Sequence, residues 1–197
     1  MRSVIFDLDG TLADISHRVH FVNGTPFPGA RVTVEKTSES VERGKQGKII
    51  ELVSDKVALV LVSADKDAVE CSVASLKVHP DWDRFFDGIN EDQPVGPTID
   101  LLNSLKRDYS ILLCSGRPET YRQQTTEWLS VHAIHHDALY MREQNDRRAD
   151  PVIKNDFLKR IRNDGYDPFL VVDDRTSVVE MWRKEGLTCL QCAEGNF

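Results

Sequence analysis

The feature that most constrains the fold is a short apolar run that ends on two aspartates. Residues 3–6 read SVIF, and the string DLDGT follows at residues 7–11. The apolar run predicts a buried strand, and Gly10 predicts the turn that leaves it. Asp7 and Asp9 would then lie at the carboxyl edge of the strand, where open parallel sheets bind ligands. Burying charge is costly unless it is compensated, so these oxygens suit Mg²⁺; a strand that runs into an acidic turn is the alternative.

The composition predicts a soluble globular protein. The 197 residues allow one domain, or one domain with a small insert, and 40% of them are hydrophobic and 29% charged. No apolar run has the length of a membrane span and no signal peptide is evident, so we expect a cytoplasmic protein with no membrane partner. The four cysteines, including the CxxC at residues 189–192, are expected to be ordinary thiols. The net charge of −7 argues against a generally basic surface but leaves a local basic groove open.

Residues 24–78 differ in character from the rest of the chain. Four runs rich in valine or isoleucine alternate with turn residues, at 31–35, 47–53, 56–63 and 69–78. They predict a small antiparallel β domain inserted into a core made of residues 1–23 and 79–197. The insert carries eight Lys/Arg and eight Asp/Glu, so nucleic-acid binding is not favoured over a spacer or cap role.

The pattern of the core after Pro80 is that of an α/β protein. Helices are predicted at residues 81–87, 97–106, 118–131, 152–162 and 176–185, with strands at 109–114, 138–141, 169–172 and 187–190. Pro118 suits the first turn of its helix. Strands that alternate with helices predict a doubly wound parallel sheet.

Polar groups follow three of the predicted strands, whose carboxyl ends share one edge of a parallel sheet. They are Asp7 with Asp9, Ser115 to Arg117, and Asp173 with Asp174. Ser115 and the backbone N–H groups around Gly116, at a helix start, suit a phosphate, although a plain Ser-Gly turn is the alternative. The pair Asp173 and Asp174 either binds a cation or caps the next helix.

Three further residues are candidates by position. Lys154, one turn inside its helix, could offset charge between Asp7 and a phosphate, or it is a solvated lysine. Asp150 suits the N-cap before Pro151. Arg18 could reach a phosphate as a forked donor, or it is a solvated arginine.

The ordered set Asp7/Asp9, Ser115, Lys154 and Asp173/Asp174 resembles the four motifs of the haloacid dehalogenase (HAD) superfamily. The strings SGR at 115–117, DPVIK at 150–154 and VVDDRTSVVEMWR at 171–183 narrow the resemblance to the 3′-phosphatase domains of the phage polynucleotide kinase-phosphatase family. It covers residues 1–23 and 80–197. The chain departs from that family by showing no kinase domain and by carrying the insert, which leaves the natural substrate open.

The resemblance implies a HAD-like Rossmannoid fold and a Mg²⁺-dependent phosphomonoesterase that acts through an aspartyl-phosphate. It gives Asp7 the role of nucleophile and Asp9 that of general acid/base, with Lys154 as the third catalytic residue. It also implies substrate-binding and metal-binding sets. The substrate-binding set is Arg18, Ser115, Gly116, Arg117 and Asp150. The metal set is Asp7, Asp9 through its backbone carbonyl, Asp173 and Asp174, and which of Asp173 and Asp174 binds the metal directly is left open.

The resemblance leaves alternatives for substrate and partner. A nucleic-acid 3′-phosphate is the preferred substrate, and free nucleotides or other small phosphomonoesters are the alternative. The insert, from GKQGKII at 44–50 to VASLKV at 73–78, resembles a KOW-type SH3-like barrel. That implies an RNA or protein partner for the insert, and the non-enzyme alternative is a binding module on an α/β scaffold.

Overall fold

The computed structural model describes residues 1–37, 41–63 and 67–195. The chain divides into two units, one made of Met1–Ile15 with Ile89–Phe197 and the other of Ser16–Gly88. None of the helices in the described ranges is both long and apolar enough to cross a membrane.

The strands and helices have the following bounds. The strands are β1 (Arg2–Phe6), β2 (Ala13–Asp14), β3 (Arg31–Val34), β4 (Gln46–Leu52), β5 (Val57–Val62), β6 (Ala68–Ser72), β7 (Leu76–Val78), β8 (Gln93–Pro94), β9 (Ser110–Pro118), β10 (Ala138–Arg142), β11 (Asp167–Arg175) and β12 (Thr188–Gly195). The α-helices are α1 (Trp82–Asp87), α2 (Gly96–Leu105), α3 (Arg122–Val131), α4 (Asp150–Asn163) and α5 (Thr176–Lys184). Short 3₁₀ turns occupy Val19–Phe21, Val73–Ser75, Gly88–Glu91 and Glu119–Tyr121.

The first unit is built on a five-stranded parallel sheet in the order β10-β9-β1-β11-β12. The apolar residues of β1 are wholly buried, as expected for a parallel strand covered on both faces. One core cluster joins this sheet to α4 and α5 through side chains such as Ile5, Val171 and Trp182. The predicted α/β fold with a parallel sheet is confirmed.

The segment after the second core strand differs from the prediction. β9 continues to Pro118, and α3 begins only at Arg122. Pro118 therefore does not start the helix; its φ of −61° suits either structure, but its ψ of 149° is extended because it pairs with Arg142 of β10. Gly116 consequently lies in a strand and not at a helix start.

The second unit is built on five antiparallel strands in the order β6-β5-β4-β3-β7. Its core is formed mainly by inward valines of these strands, together with Ile49, Ala58, Phe27 and Cys71. The last predicted β run, at 69–78, is broken into β6 and β7 by the 3₁₀ turn Val73–Ser75.

This antiparallel sheet must curl strongly. The outer strands of a flat five-stranded sheet would be about 19 Å apart at roughly 4.8 Å per strand. β6 and β7 lie on opposite edges, yet the 3₁₀ turn that joins them spans only about 8 Å at roughly 2 Å per residue. The edges are therefore drawn together, while the resemblance to a KOW-type barrel remains a prediction.

The second unit is wider than the insert predicted at 24–78. Its flanks contact each other and the segment before β3: Asp81 N–H donates to the Phe21 carbonyl at 2.9 Å, and the Arg84 guanidinium lies 5.7 Å from the Phe27 ring centroid. That residues 24–78 fold semi-independently stays a prediction.

Candidate active site

The register of the parallel sheet brings the predicted acids together. Phe6 of β1 pairs with Val172 of β11, so Asp7 and Asp173 follow side by side. The carboxylates of Asp7, Asp173 and Asp174 are all buried, and each offers an oxygen within 4.8 Å of the others. The three acids of the predicted metal set that contribute side chains therefore meet at one edge of the sheet.

Lys154 bridges two of these carboxylates. It lies on α4, one turn from the start of the helix, and is 3% exposed. Its Nζ donates to Asp7 Oδ1 at 2.6 Å and to Asp173 Oδ2 at 2.8 Å. Trp182 of α5 also donates its Nε1–H to Asp173 Oδ2, at 3.2 Å. Lys154 is thus a buried cation with two of its three N–H donors on these carboxylates, and not a solvated lysine.

Burial sets the protonation behaviour of this cluster. Loss of solvation raises the pKa of Asp7 well above its usual range, against the opposing charge of Lys154. Burial, with the neighbouring Asp173 charge, raises the pKa of Asp174 to about 6. Burial alone would lower the pKa of Lys154, but the charges of Asp173 and Asp7 outweigh it and raise that pKa. The positive charge of Lys154 therefore compensates the three buried carboxylates only in part.

The turn after β1 is shaped around Asp174. Gly10 has a φ of +85°, and a Cβ added there would lie 2.4 Å from Asp174 Oδ2, so only glycine fits. The Thr11 hydroxyl donates to Asp174 Oδ1 at 3.4 Å. The string DLDGT thus supplies the acid Asp7, and its Gly10 leaves the space that the Asp174 carboxylate occupies.

Asp9 belongs to a second charged group. Arg117, which is fully buried, donates to Asp9 Oδ1 from Nε at 3.0 Å and from Nη2 at 2.5 Å. Its Nη2 also donates to the buried Asp92 at 2.9 Å, and Nη1 donates to Thr125 Oγ1 at 3.4 Å. In the structure Arg117 orients the Asp9 side chain, and its predicted contact with substrate stays a prediction.

The remaining residues of the predicted phosphate site lie along β9 and α4. Ser115 is fully buried and its Oγ accepts from the Arg117 N–H at 3.2 Å. The Gly116 carbonyl accepts from Arg142 Nε at 2.9 Å, and a Cβ on Gly116 would lie 3.2 Å from Asp150 Oδ1. Gly116 therefore allows a close approach between β9 and the start of α4.

Asp150 does not cap α4 as predicted. The cap position is Ala149, which makes no side-chain cap bond, and Asp150 is the first residue of the helix. Its two carboxylate oxygens accept hydrogen bonds from Arg142 and Arg175. Ion pairing with two arginines is stronger than one hydrogen bond to a helix N–H, which explains the difference.

Arg18 lies in the second unit. It is fully buried, its Nη1 donates to the Phe85 carbonyl at 3.1 Å, and its guanidinium carbon is 4.1 Å from the centroid of the Phe85 ring. It is therefore not a solvated arginine, and its contact with a phosphate stays a prediction.

Sequence reasoning missed three charged residues of these networks. Arg142 and Arg175 close strands β10 and β11, so the rule that polar groups at strand ends converge would have identified them. Asp92 lies between a 3₁₀ turn and β8, in a stretch with no hydrophobic period, and offers no such signal.

The carboxylate cluster has the chemistry of a divalent-metal site. Asp7, Asp173 and Asp174 offer hard oxygen ligands, which Mg²⁺ prefers. A cation would also favour the ionised form of groups whose pKa burial raises. The Asp9 carboxylate faces Arg117 instead, so any part of Asp9 in metal binding falls to its backbone carbonyl.

Comparison with known proteins gives one family match. The model of the family "Polynucleotide kinase PNKP phosphatase domain" matches residues 81–197. That range contains Ser115, Lys154, Asp173 and Asp174, and the turn with Asp7 and Asp9 precedes it.

Solved structures with a similar fold include chains of two Pnkp1/Rnl/Hen1 complexes. One is 24% identical with a TM-score of 0.61, and the match covers 100% of this chain and 47% of that one. The other, from a complex described as an RNA repair complex, is 24% identical with a TM-score of 0.60 and coverages of 100% and 43%. A haloacid dehalogenase-like hydrolase from Streptococcus pneumoniae is 17% identical with a TM-score of 0.53 and coverages of 95% and 82%. This chain thus spans less than half the length of the first two, and these likenesses show a HAD-like fold.

Proposed function

The chain belongs to the family of polynucleotide kinase PNKP phosphatase domains, and on that premise we propose that it removes 3′-phosphate from nucleic-acid ends with the help of Mg²⁺. It is a HAD-type phosphatase. The observation that carries the proposed chemistry is the buried group of Asp7, Asp173 and Asp174 around Lys154, because it combines a nucleophile with oxygen ligands for a cation. The proposed 3′-phosphate substrate is supported by the family match.

The proposed chemistry begins at Asp7. One of its carboxylate oxygens forms a bond to phosphorus, and the bond from phosphorus to the 3′ oxygen of the strand breaks. Asp9 gives its proton to that leaving oxygen, so the strand departs with a 3′-hydroxyl. Water then forms a bond to phosphorus, Asp9 takes a proton from the water, and the bond to Asp7 breaks to release inorganic phosphate.

Other residues of the chain hold these two acids in place. Lys154 fixes Asp7 through Oδ1, and Arg117 fixes Asp9 through Oδ1. Both cations are buried, so the orientation is set before substrate binds. The proposed contacts of Ser115, Gly116 and Lys154 with the phosphoryl oxygens rest on their position beside Asp7 at the same sheet edge.

Mg²⁺ held by Asp7, Asp173 and Asp174 would supply positive charge that offsets the repulsion between the Asp7 carboxylate and the phosphate.

The test is a phosphate-release assay on four substrates with and without Mg²⁺. They are an oligonucleotide with a 3′-phosphate, the same oligonucleotide with a 5′-phosphate, a free 3′-nucleotide and an aryl phosphate. RNA and DNA oligonucleotides are both included, because one structural neighbour comes from an RNA repair complex. We expect the highest kcat/KM on the 3′-phosphorylated strand, dependence on Mg²⁺, and no turnover by Asp7→Asn. A higher kcat/KM on the free nucleotide would favour the small-phosphomonoester alternative.

A further inference from the structure

A basic groove crosses the outer face of the antiparallel sheet in the second unit. It has a volume of about 450 Å³. Arg31, Lys48 and His79 line it together with the polar Gln46 and Ser63 and the apolar Leu61. No acidic side chain is among the described residues that line it. The described lining of the groove is therefore positive although the predicted insert has no net charge.

The charges on this face are separated along the strands. Arg31 of β3 faces Lys48 of β4, which faces Leu61 of β5. At the far end of the same face, Leu59 lies between Glu51 of β4 and Glu70 of β6. An equal count of acids and bases thus hides a basic region around Arg31 and Lys48, from which Glu51 and Glu70 lie apart along the strands.

The pairing of Arg31 with Lys48 is unfavourable for the fold itself. Like charges directly opposite each other on antiparallel strands are destabilising. Both side chains are exposed, and neither forms an ion pair within the described parts of the chain. Folding does not explain two cations in register, whereas an anion bound between them does.

The spread of donors favours a polymer over a single anion. Lys77 of β7 is exposed and pairs with Thr33, whose hydroxyl is 2.7 Å from His79 Nε2. The basic groups therefore extend over three neighbouring strands, β7, β3 and β4, about 10 Å in all. Successive phosphates of one strand would each find a cation there, with Gln46 and Ser63 as hydrogen-bond partners.

We propose that the basic groove binds the sugar-phosphate backbone of single-stranded nucleic acid. The choice of nucleic acid over an acidic peptide rests on the proposed function, because a phosphatase of nucleic-acid ends handles strands. The binding itself needs neither a terminal phosphate nor catalysis.

The test measures binding of the full chain to a labelled single-stranded oligonucleotide that ends in a 3′-hydroxyl. The variant is Arg31→Ala/Lys48→Ala, and the matched control is Lys36→Ala/Lys56→Ala, which removes two exposed cations of the same unit outside the groove. We expect the groove variant to weaken binding about tenfold at low salt and to reduce the slope of log Kd against log salt by about 1.4, for two lost phosphate contacts. The control should change Kd less than about twofold, since it loses no phosphate contact.

Two further measurements distinguish a loss of strand binding from a loss of catalysis or of folding. Turnover of an aryl phosphate should be the same in all variants, and the melting temperature of the groove variant should not fall. Equal weakening by groove and control variants, or displacement of the strand by polyglutamate at matched charge, would overturn the proposal. Failure of the proposed function would show instead as absent release of phosphate from a 3′-phosphorylated strand, while binding of the 3′-hydroxyl strand persisted.

Discussion

Lys154 carries a positive charge in a place where three carboxylates are buried. It donates to Asp7 and Asp173 from a position that is 3% exposed. Removing one partner of such a group leaves uncompensated buried charge, which is far more costly than losing a surface ion pair.

Lys154→Met tests this role. We expect kcat to fall about 100-fold or more, as when a preorganised donor to the reacting group is lost, and metal-free stability to fall by about 3–5 kcal/mol. The measurements are steady-state kinetics and denaturant unfolding. Lys159→Met is the control, because Lys159 lies on the same helix but is 67% exposed in its side chain. Near-normal turnover by Lys154→Met would contradict the catalytic assignment.

Asp174 makes the metal-free protein sensitive to pH. Its pKa is raised from 3.8 to about 6, chiefly by burial, so the native state binds the proton more tightly than the unfolded state does. The contribution of this group to stability is therefore most favourable below pH 3.8 and declines as the pH rises through about 6, by at most about 3 kcal/mol.

The corresponding experiment compares the natural chain with Asp174→Asn in the presence of a chelator. From pH 4.5 to 7 we expect the melting temperature of the natural chain to fall relative to that of the variant. Mg²⁺ added at pH 7 should then raise the natural chain's melting temperature more than the variant's. Parallel curves with no response to Mg²⁺ would contradict the description of Asp174 as a buried metal ligand.

At the scale of elements, most of what could be predicted about the site came from the polar residues that follow the strands. Apolar runs followed by acids located Asp7 and Asp173 correctly, because a parallel sheet puts such ends on one edge. The prediction failed where the chain leaves β9, since proline fixes φ but not ψ, and pairing with β10 decided ψ. Asp92 could not be predicted, because its partner Arg117 is brought to it only by the tertiary fold.

The pairing of β3 with β4 yields a prediction about stability. Lys48→Glu turns the like-charge pair with Arg31 into an opposite-charge pair. We expect the free energy of unfolding to rise by about 0.2–1 kcal/mol, while affinity for a nucleic-acid strand falls. Thermal melting and strand binding are measured on the same preparations, with Lys36→Glu as control. A stabilised variant that binds the strand normally would argue against the basic groove.

At the scale of the whole molecule, every residue proposed for catalysis by proton or phosphoryl transfer lies in the first unit. The HAD-like fold does not need residues 24–78 to complete its parallel sheet. We infer that these residues change which substrate is handled and not how it is hydrolysed.

Replacing residues 24–78 by a short Gly-Ser linker tests this inference and keeps Arg18 in the chain. We expect turnover of an aryl phosphate to stay within about threefold of that of the full chain. The kcat/KM for a 3′-phosphorylated oligonucleotide should fall about tenfold or more relative to the kcat/KM for the aryl phosphate. Circular dichroism checks that the variant is folded. If a folded variant loses both activities, the inserted residues contribute to the catalytic site itself.

The middle position of β1 in the parallel sheet has a consequence for the nascent chain. β1 is made before both of its neighbours, and β11 follows only after the other unit, β9 and β10 have been synthesised. Loops of that length close slowly, whereas β3 to β7 follow one another closely and can assemble as they emerge. Asp7 therefore meets Asp173 and Lys154 only when most of the chain has left the ribosome, and we expect a nascent chain that has not yet reached Asp174 to release no phosphate from phosphate esters.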